Sequence, residues 1–246
     1  MNFVFDLDGT IVFEGQPITE EIEKALLHVQ LLGHEVIFAS ARPIRDMLPV
    51  VPVSLHTCRM IGGNGAFRYE QGQIEVTYFK EEYRQLFTSW LITHNLRYLA
   101  DSDWNYSYTG EEHVPIFAGI DPLGTAQNVP IDELKAMSKL LIFSPPASVV
   151  EALEELPVSK FLHQSEDVID ISPVGVNKRK GLAQLGVTDY IAFGNDANDA
   201  PLFEGAVFSV CVDQHEVGNL ADERVAREEV AHKIKEVGHR FEKIES

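Results

Sequence analysis

Two aspartates one residue apart, Asp6 and Asp8, follow directly on the apolar run "NFVF". Three other apolar runs also end in side chains suited to chemistry. "EVIFA" is followed by Ser40 and Arg42, "RMI" by Asn64 and Gly65 in a glycine-rich turn, and "YIAFG" by Asn195, Asp196, Asn198 and Asp199. In an open α/β sheet, ligands bind at the carboxyl ends of the strands. If these runs are neighbouring strands, carboxylates, amides, a hydroxyl and a guanidinium meet at one place. Converging carboxylates repel, and a hard divalent cation with oxygen ligands, Mg2+ above all, relieves the repulsion. Such a site would draw in a phosphate. One carboxylate could then attack phosphorus, while a second, two residues on, protonates the leaving oxygen and afterwards activates water. A lysine and a serine would hold the remaining phosphoryl oxygens.

Each feature also has a plainer reading. Asp6 and Asp8 could be a turn with a capping acid, and Asn195 to Asp199 an Asx-rich helix start. Ser40 could simply terminate its strand. Lys178 and Lys180, in "NKRKG", could belong to a solvated basic face. Single histidines such as His113 and His163 read as structural or exposed, because no H-x-H or H-x-x-x-H spacing is present.

The elements that must position these residues are legible as an interrupted alternation. The short apolar runs 2–6, 35–40 and 58–63 read as buried parallel strands. Between the first two, Ile22, Ala25, Leu26, Val29 and Leu32 recur at helical spacing, with Thr19 as N-cap and Gly33 as stop. Residues 66–79 read as a hairpin turning at Gln71–Gly72. From about residue 80 the pattern loosens: an amphipathic helix around Tyr83, Phe87 and Leu91, then short alternating strands and a helix over "SVVEALEEL". The strand and helix alternation returns from Gly175. The predicted fold is therefore an α/β, Rossmann-like parallel-sheet core, residues 1–79 and 174–246, with an inserted α+β cap, residues 80–173. Hinges are expected near residue 80 and around Pro173 and Gly175.

Composition narrows the function classes. A formal charge of −18 disfavours nucleic acid and anionic membrane as partners, since both require a basic surface. No apolar stretch approaches the ~18 residues of a membrane span. The acidic N-terminus has no basic n-region of a signal peptide. The two cysteines, Cys58 and Cys211, sit in apolar runs without metal spacing and fit buried thiols in a cytoplasmic protein.

Taken together, "FDLDGT", "FASARP", "GVNKRKGL" and "FGNDANDAPLF" resemble the four motifs of the haloacid dehalogenase (HAD) superfamily, in order and at strand ends. The insert, together with "IGGNGA", resembles the Cof-type subfamily with its C2 cap. The resemblance implies a Mg2+-dependent phosphatase of small phosphorylated metabolites such as sugar phosphates. Asp6 is then the nucleophile and a metal ligand, and Asp8 the general acid/base whose backbone carbonyl also reaches the metal. The N–H groups near Leu7 and Asp8 contact the phosphoryl group, as do Ser40, Lys178 and Asn198, with Lys180 the other lysine available. Arg42, Asn64 and Gly65 fall where the subfamily faces its substrate, and Asp199 supports the metal shell. One departure stands out: the fourth motif of the family begins Gly-Asp, whereas here Asn195 follows Gly194 and Asp196 comes one place later. Either oxygen could serve the metal, Asn195 being preferred. A mutase of the same superfamily, or a phosphometabolite-binding regulator, is the alternative. The oligomeric state is not encoded in these patterns.

Overall fold

A computed structural model describes residues 1–110, 115–163 and 167–242. In chain order the strands are β1 (Asn2–Phe5), β2 (Glu35–Ala39), β3 (Arg59–Gly62), β4 (Phe67–Glu70), β5 (Gln73–Val76), β6 (Arg97–Asp101), β7 (Tyr106–Tyr108), β8 (Lys139–Phe143), β9 (Val158–His163), β10 (Val168–Pro173), β11 (Tyr190–Gly194), β12 (Phe208–Val212) and β13 (Glu223–Val225). The helices are α1 (Glu20–Leu31), α2 (Ile44–Met47), α3 (Glu81–Thr93), α4 (Ala147–Glu154), α5 (Lys178–Gln184), α6 (Ala200–Gly205) and α7 (Val230–Arg240).

The chain forms two compact units, Met1–Gln73 with Lys178–Ser246, and Ile74–Asn177. The first is built on the larger sheet, of order β13-β12-β11-β1-β2-β3-β4-β5. Strands β13 to β3 run parallel, and β4 turns back antiparallel to β3. This explains the continuous apolar runs: a central parallel strand is covered on both faces, so Phe3, Val4 and Phe5 are all fully buried. The hairpin between β4 and β5 turns where the sequence predicts it, with Gln71 at φ 51° and Gly72 at φ 79°, the pair of positive angles that a tight hairpin turn needs. Thr19 caps α1 as expected, its hydroxyl accepting from the Ile22 N–H at 3.4 Å. The short helix α2 and the three-residue strand β13 carry no periodic signal in the sequence, being too brief for one.

The second unit contains the five-stranded sheet β7-β6-β8-β10-β9, antiparallel at each pairing of β6, β8, β9 and β10. Its core packs Phe87 and Leu91 of α3 and Val149 and Leu153 of α4 with Ala100, Leu140, Ile142, Ile169 and Ile171 of the sheet. Periodicity alone sets the breaks at 79/80 and 173/174; packing sets them at 73/74 and 177/178. Among the described residues, no helix is long and apolar enough to cross a membrane. His113 lies outside the described residues.

Candidate active site

The sheet order makes β11, β1, β2 and β3 consecutive neighbours, so all four motif-bearing strands end side by side. Strand pairing then runs one residue beyond β1 and β2. The Asp6 N–H donates to Phe193 O at 2.9 Å, and the Ser40 N–H to Ile61 O at 2.8 Å. Asp6 and Ser40 are thus the first residues outside the sheet, with backbones still held by it. After Asp6 the chain tightens into a loop in which Thr10, Ile11 and Val12 all donate to Leu7 O. The N–H groups of Leu7 and Asp8 take no backbone acceptor among the described residues.

Asp6 is 5% exposed and anchors the cluster. Its Oδ1 accepts from Lys178 Nζ at 2.6 Å, and its Oδ2 from the Thr10 hydroxyl at 3.0 Å. Lys178, the first residue of α5, is fully buried and also donates to Asp199 Oδ1 at 2.6 Å and to Asn198 Oδ1 at 3.3 Å. The other Asp199 oxygen accepts the N–H groups of Asn195 and Asp196 at 2.9 and 3.2 Å. Asp199 therefore ties the loop after β11 to Lys178. A Cβ on Gly194 would lie 2.6 Å from the Asp199 carboxyl carbon, so only glycine permits this approach. Lys180 is exposed, so the structure brings Lys178 and not Lys180 into the cluster.

One buried ammonium serves two buried carboxylates. Burial pushes the Asp6 carboxyl up to about 7; Lys178 pulls it back, and Asp199 adds to the rise. Burial by itself would depress the Lys178 ammonium, but Asp199 and Asp6 outweigh it and hold the group above the ordinary lysine value.

The Asp8 carboxylate has a different partner. Arg42 grips it through two bonds, Nε to Oδ2 at 2.8 Å and Nη2 to Oδ1 at 2.7 Å. The Asp8 side chain remains 49% exposed, open to an incoming group. Ser40 Oγ accepts the Arg42 N–H at 3.1 Å, which shapes the turn after β2. The glycine-rich turn after β3 docks on it: the Gly63 N–H donates to Arg42 O, and the Asn64 N–H to Ser40 O. Asn64 adopts φ 56° and is buried, with Gly65 beside it at φ 115°.

A model of the haloacid dehalogenase-like hydrolase family matches residues 3–227. The chain belongs to this family. YkrA of Bacillus subtilis (strain 168), a protein whose name proposes a phosphatase, is 24% identical over 255 residues, covering 95% of this chain and 96% of YkrA. The solved structure of BT4131, described as a HAD subclass IIB sugar phosphatase, aligns with TM-score 0.80 at 19% identity over 96% of this chain and 98% of its own. A Thermotoga maritima protein aligns with TM-score 0.78 at 20% identity, covering 98% and 97% of the two chains. At these identities the likeness establishes the fold.

In this HAD-like hydrolase the residues suited to a cation are oxygen donors gathered around Asn195. The inner atom of its side-chain amide lies 2.8 Å from Asp8 O, 3.1 Å from Asp6 Oδ2 and 3.0 Å from Thr10 Oγ1. A carboxylate, a main-chain carbonyl and an amide oxygen fit a hard divalent cation in kind, although only Asp6 brings a full charge. Among the described residues no three His, Cys, Asp or Glu side chains converge as a metal site, because two of these donors are an amide and a carbonyl. Asp196 is turned away: it caps the following turn through the Ala197 N–H at 2.6 Å and meets His215 Nε2 at 3.3 Å. Sequence patterns give no role to two residues of this site, Thr10 and His215. Thr10 has a local signal, lying four residues after Asp6 in a loop that returns on Leu7. His215 has none, because only the fold brings it beside Asp196.

Proposed function

We propose that this enzyme is a phosphatase that hydrolyses small phosphate monoesters through a covalent phosphoryl group on Asp6. The observation that supports it most is the buried Asp6 carboxylate fixed between Lys178 and Thr10, with the exposed Asp8 carboxyl two residues on. A carboxylate oxygen of Asp6 attacks phosphorus and the bond to the leaving oxygen breaks, with Asp8 delivering its proton to that oxygen. Asp8 then takes a proton from water, the water oxygen attacks phosphorus, the bond to Asp6 breaks, and phosphate leaves. Lys178, the N–H groups of Leu7 and Asp8, Ser40 and Asn198 are assigned to meet the phosphoryl charge. Because Arg42 is paired with Asp8, substrate entry exchanges that pair for contacts to the substrate. Arg42, Asn64 and Gly65 are assigned to the substrate side.

Mg2+ is the proposed cofactor, held by Asp6, the Asp8 carbonyl and Asn195, with Asp199 behind them. When bound it supplies charge neutralisation for an entering phosphate. Residues 74–177 are assigned as the cap that selects the substrate, and the substrate class is a small phosphorylated metabolite, by analogy with the sugar phosphatase of the same fold.

The test is phosphate release from a panel of sugar phosphates with Mg2+, for wild type and Asp6→Asn. Turnover by wild type alone is expected. Isomerised product without free phosphate would identify a mutase instead. Asn195, an amide where the family places a charged ligand, motivates the second reading of a phosphometabolite-binding regulator. Ligand binding without turnover at saturating Mg2+ would favour it.

A further inference from the structure

The Asn195 amide sits against three oxygens, and its two orientations, half a turn apart, do different things there. With its oxygen inward it accepts from Thr10 Oγ1 at 3.0 Å but faces the Asp8 carbonyl and Asp6 Oδ2, both acceptors. With its nitrogen inward every contact becomes a hydrogen bond: it donates to Asp8 O at 2.8 Å, Asp6 Oδ2 at 3.1 Å and Thr10 Oγ1 at 3.0 Å. Buried acceptors favour the orientation that satisfies them. The outer end of the amide lies against Gly9, where a Cβ would come within 2.1 Å of Asn195 Nδ2. Gly9, at φ 79°, thus clears the space the amide occupies. Asp196 cannot take its place without giving up its cap on Ala197 and its contact with His215.

We propose that Asn195 is a two-position latch. Nitrogen inward, it satisfies the oxygens of Asp6 and Asp8 when no cation is present; oxygen inward, it becomes a ligand of the cation. This rests on the cation-dependent reading of the site given above. The nitrogen-inward state competes with the cation, so apparent affinity is lowered by the fraction of molecules latched. A carboxylate at this position could not donate at all. It would face Asp6 as a like charge without a cation and strengthen the site with one.

The test uses the full-length protein as wild type, Asn195→Asp and Asn195→Ala. Mg2+ binding is measured by calorimetry, and melting is followed in EDTA and in excess MgCl2. Asn195→Asp is expected to melt lower than wild type in EDTA, yet to bind Mg2+ at least tenfold more tightly. Asn195→Ala is expected to lose stability in EDTA without gaining affinity. The 15N side-chain amide resonances of Asn195, identified by their loss in Asn195→Ala, should shift on addition of Mg2+. Equal melting of Asn195→Asp and wild type in EDTA, or amide resonances unmoved at saturating Mg2+, would overturn the latch while leaving the cation site intact. Absence of Mg2+ binding in both wild type and Asn195→Asp would remove the cation reading itself, and the latch with it.

Discussion

Asp6, the proposed nucleophile, illustrates how burial of a carboxylate works against the fold. Its carboxyl is raised to about 7, whereas in an unfolded chain it titrates near about 4. The folded state therefore binds the proton more tightly. The stability from this group is complete below about pH 4 and is lost as pH rises to about 7. In EDTA, Asp6→Asn should melt above wild type at pH 8, and the gap should shrink at pH 5.5. Turnover of the same variant should fall by roughly a thousandfold or more. Arg42 works by geometry rather than by charge alone, since its fork meets both Asp8 oxygens. Arg42→Lys keeps the charge and loses the fork, so kcat/KM is expected to drop about tenfold with Tm changed little, because the pair is partly exposed. Gly9→Ala would meet both a positive φ and the Asn195 amide. A loss of about 1–3 kcal/mol in urea unfolding is expected, together with weakened turnover.

At the scale of elements, the site is a product of strand ends and one helix start. The parallel pairing of β1 with β11 and β2 sets Asp6, and a one-residue slip would turn the carboxylate to the opposite face of the sheet. Lys178 arrives from α5, which packs closely on the turn after β3. A Cβ on Gly181 would come 2.8 Å from Ile61 Cγ2 and 3.1 Å from Gly65 Cα. Gly181→Ala should therefore destabilise, although alanine normally favours a helix by about 1 kcal/mol over glycine. Because α5 carries Lys178, the variant is expected to lower kcat as well as Tm; a rise in Tm would show that the helix can shift outward. The helix, strand and turn types were readable because each run repeats at its own period and ends in a turn residue. What periodicity could not reveal is the close approach of α5 to the sheet. Gly181 looks in sequence like an ordinary weak point in a helix.

For the whole molecule, the division into two units follows from two separate cores. Residues 74–177 form one continuous stretch with its own sheet and helices, while the first unit is assembled from both ends of the chain. A fragment spanning 74–177 is expected to fold with a single cooperative urea transition, monitored by Trp90 and Trp104 fluorescence. An uncooperative, shallow transition would mean that the middle unit depends on the rest. The interrupted alternation from residue 80 to Gly175 is the sequence signal that predicts an insertion. The breaks themselves fall several residues away, at the start of β5 on one side and directly before α5 on the other.

The sequence by itself determined the longer strands of the parallel sheet and the order of the motifs at their ends, since apolar period and turn chemistry are local properties. It also exposed the amide at position 195. Only the tertiary structure decided which side chains meet. Contacts separated by 172 and 185 residues, Lys178 with Asp6 and Thr10 with Asn195, have no local signature. Only the fold chose Lys178 over Lys180, turned Asp196 outward to His215, and set Asn195 against the oxygens of Asp6 and Asp8. The physical reason is that hydrogen bonds and charge pairs depend on positions across the sheet, which strand pairing fixes and sequence spacing does not.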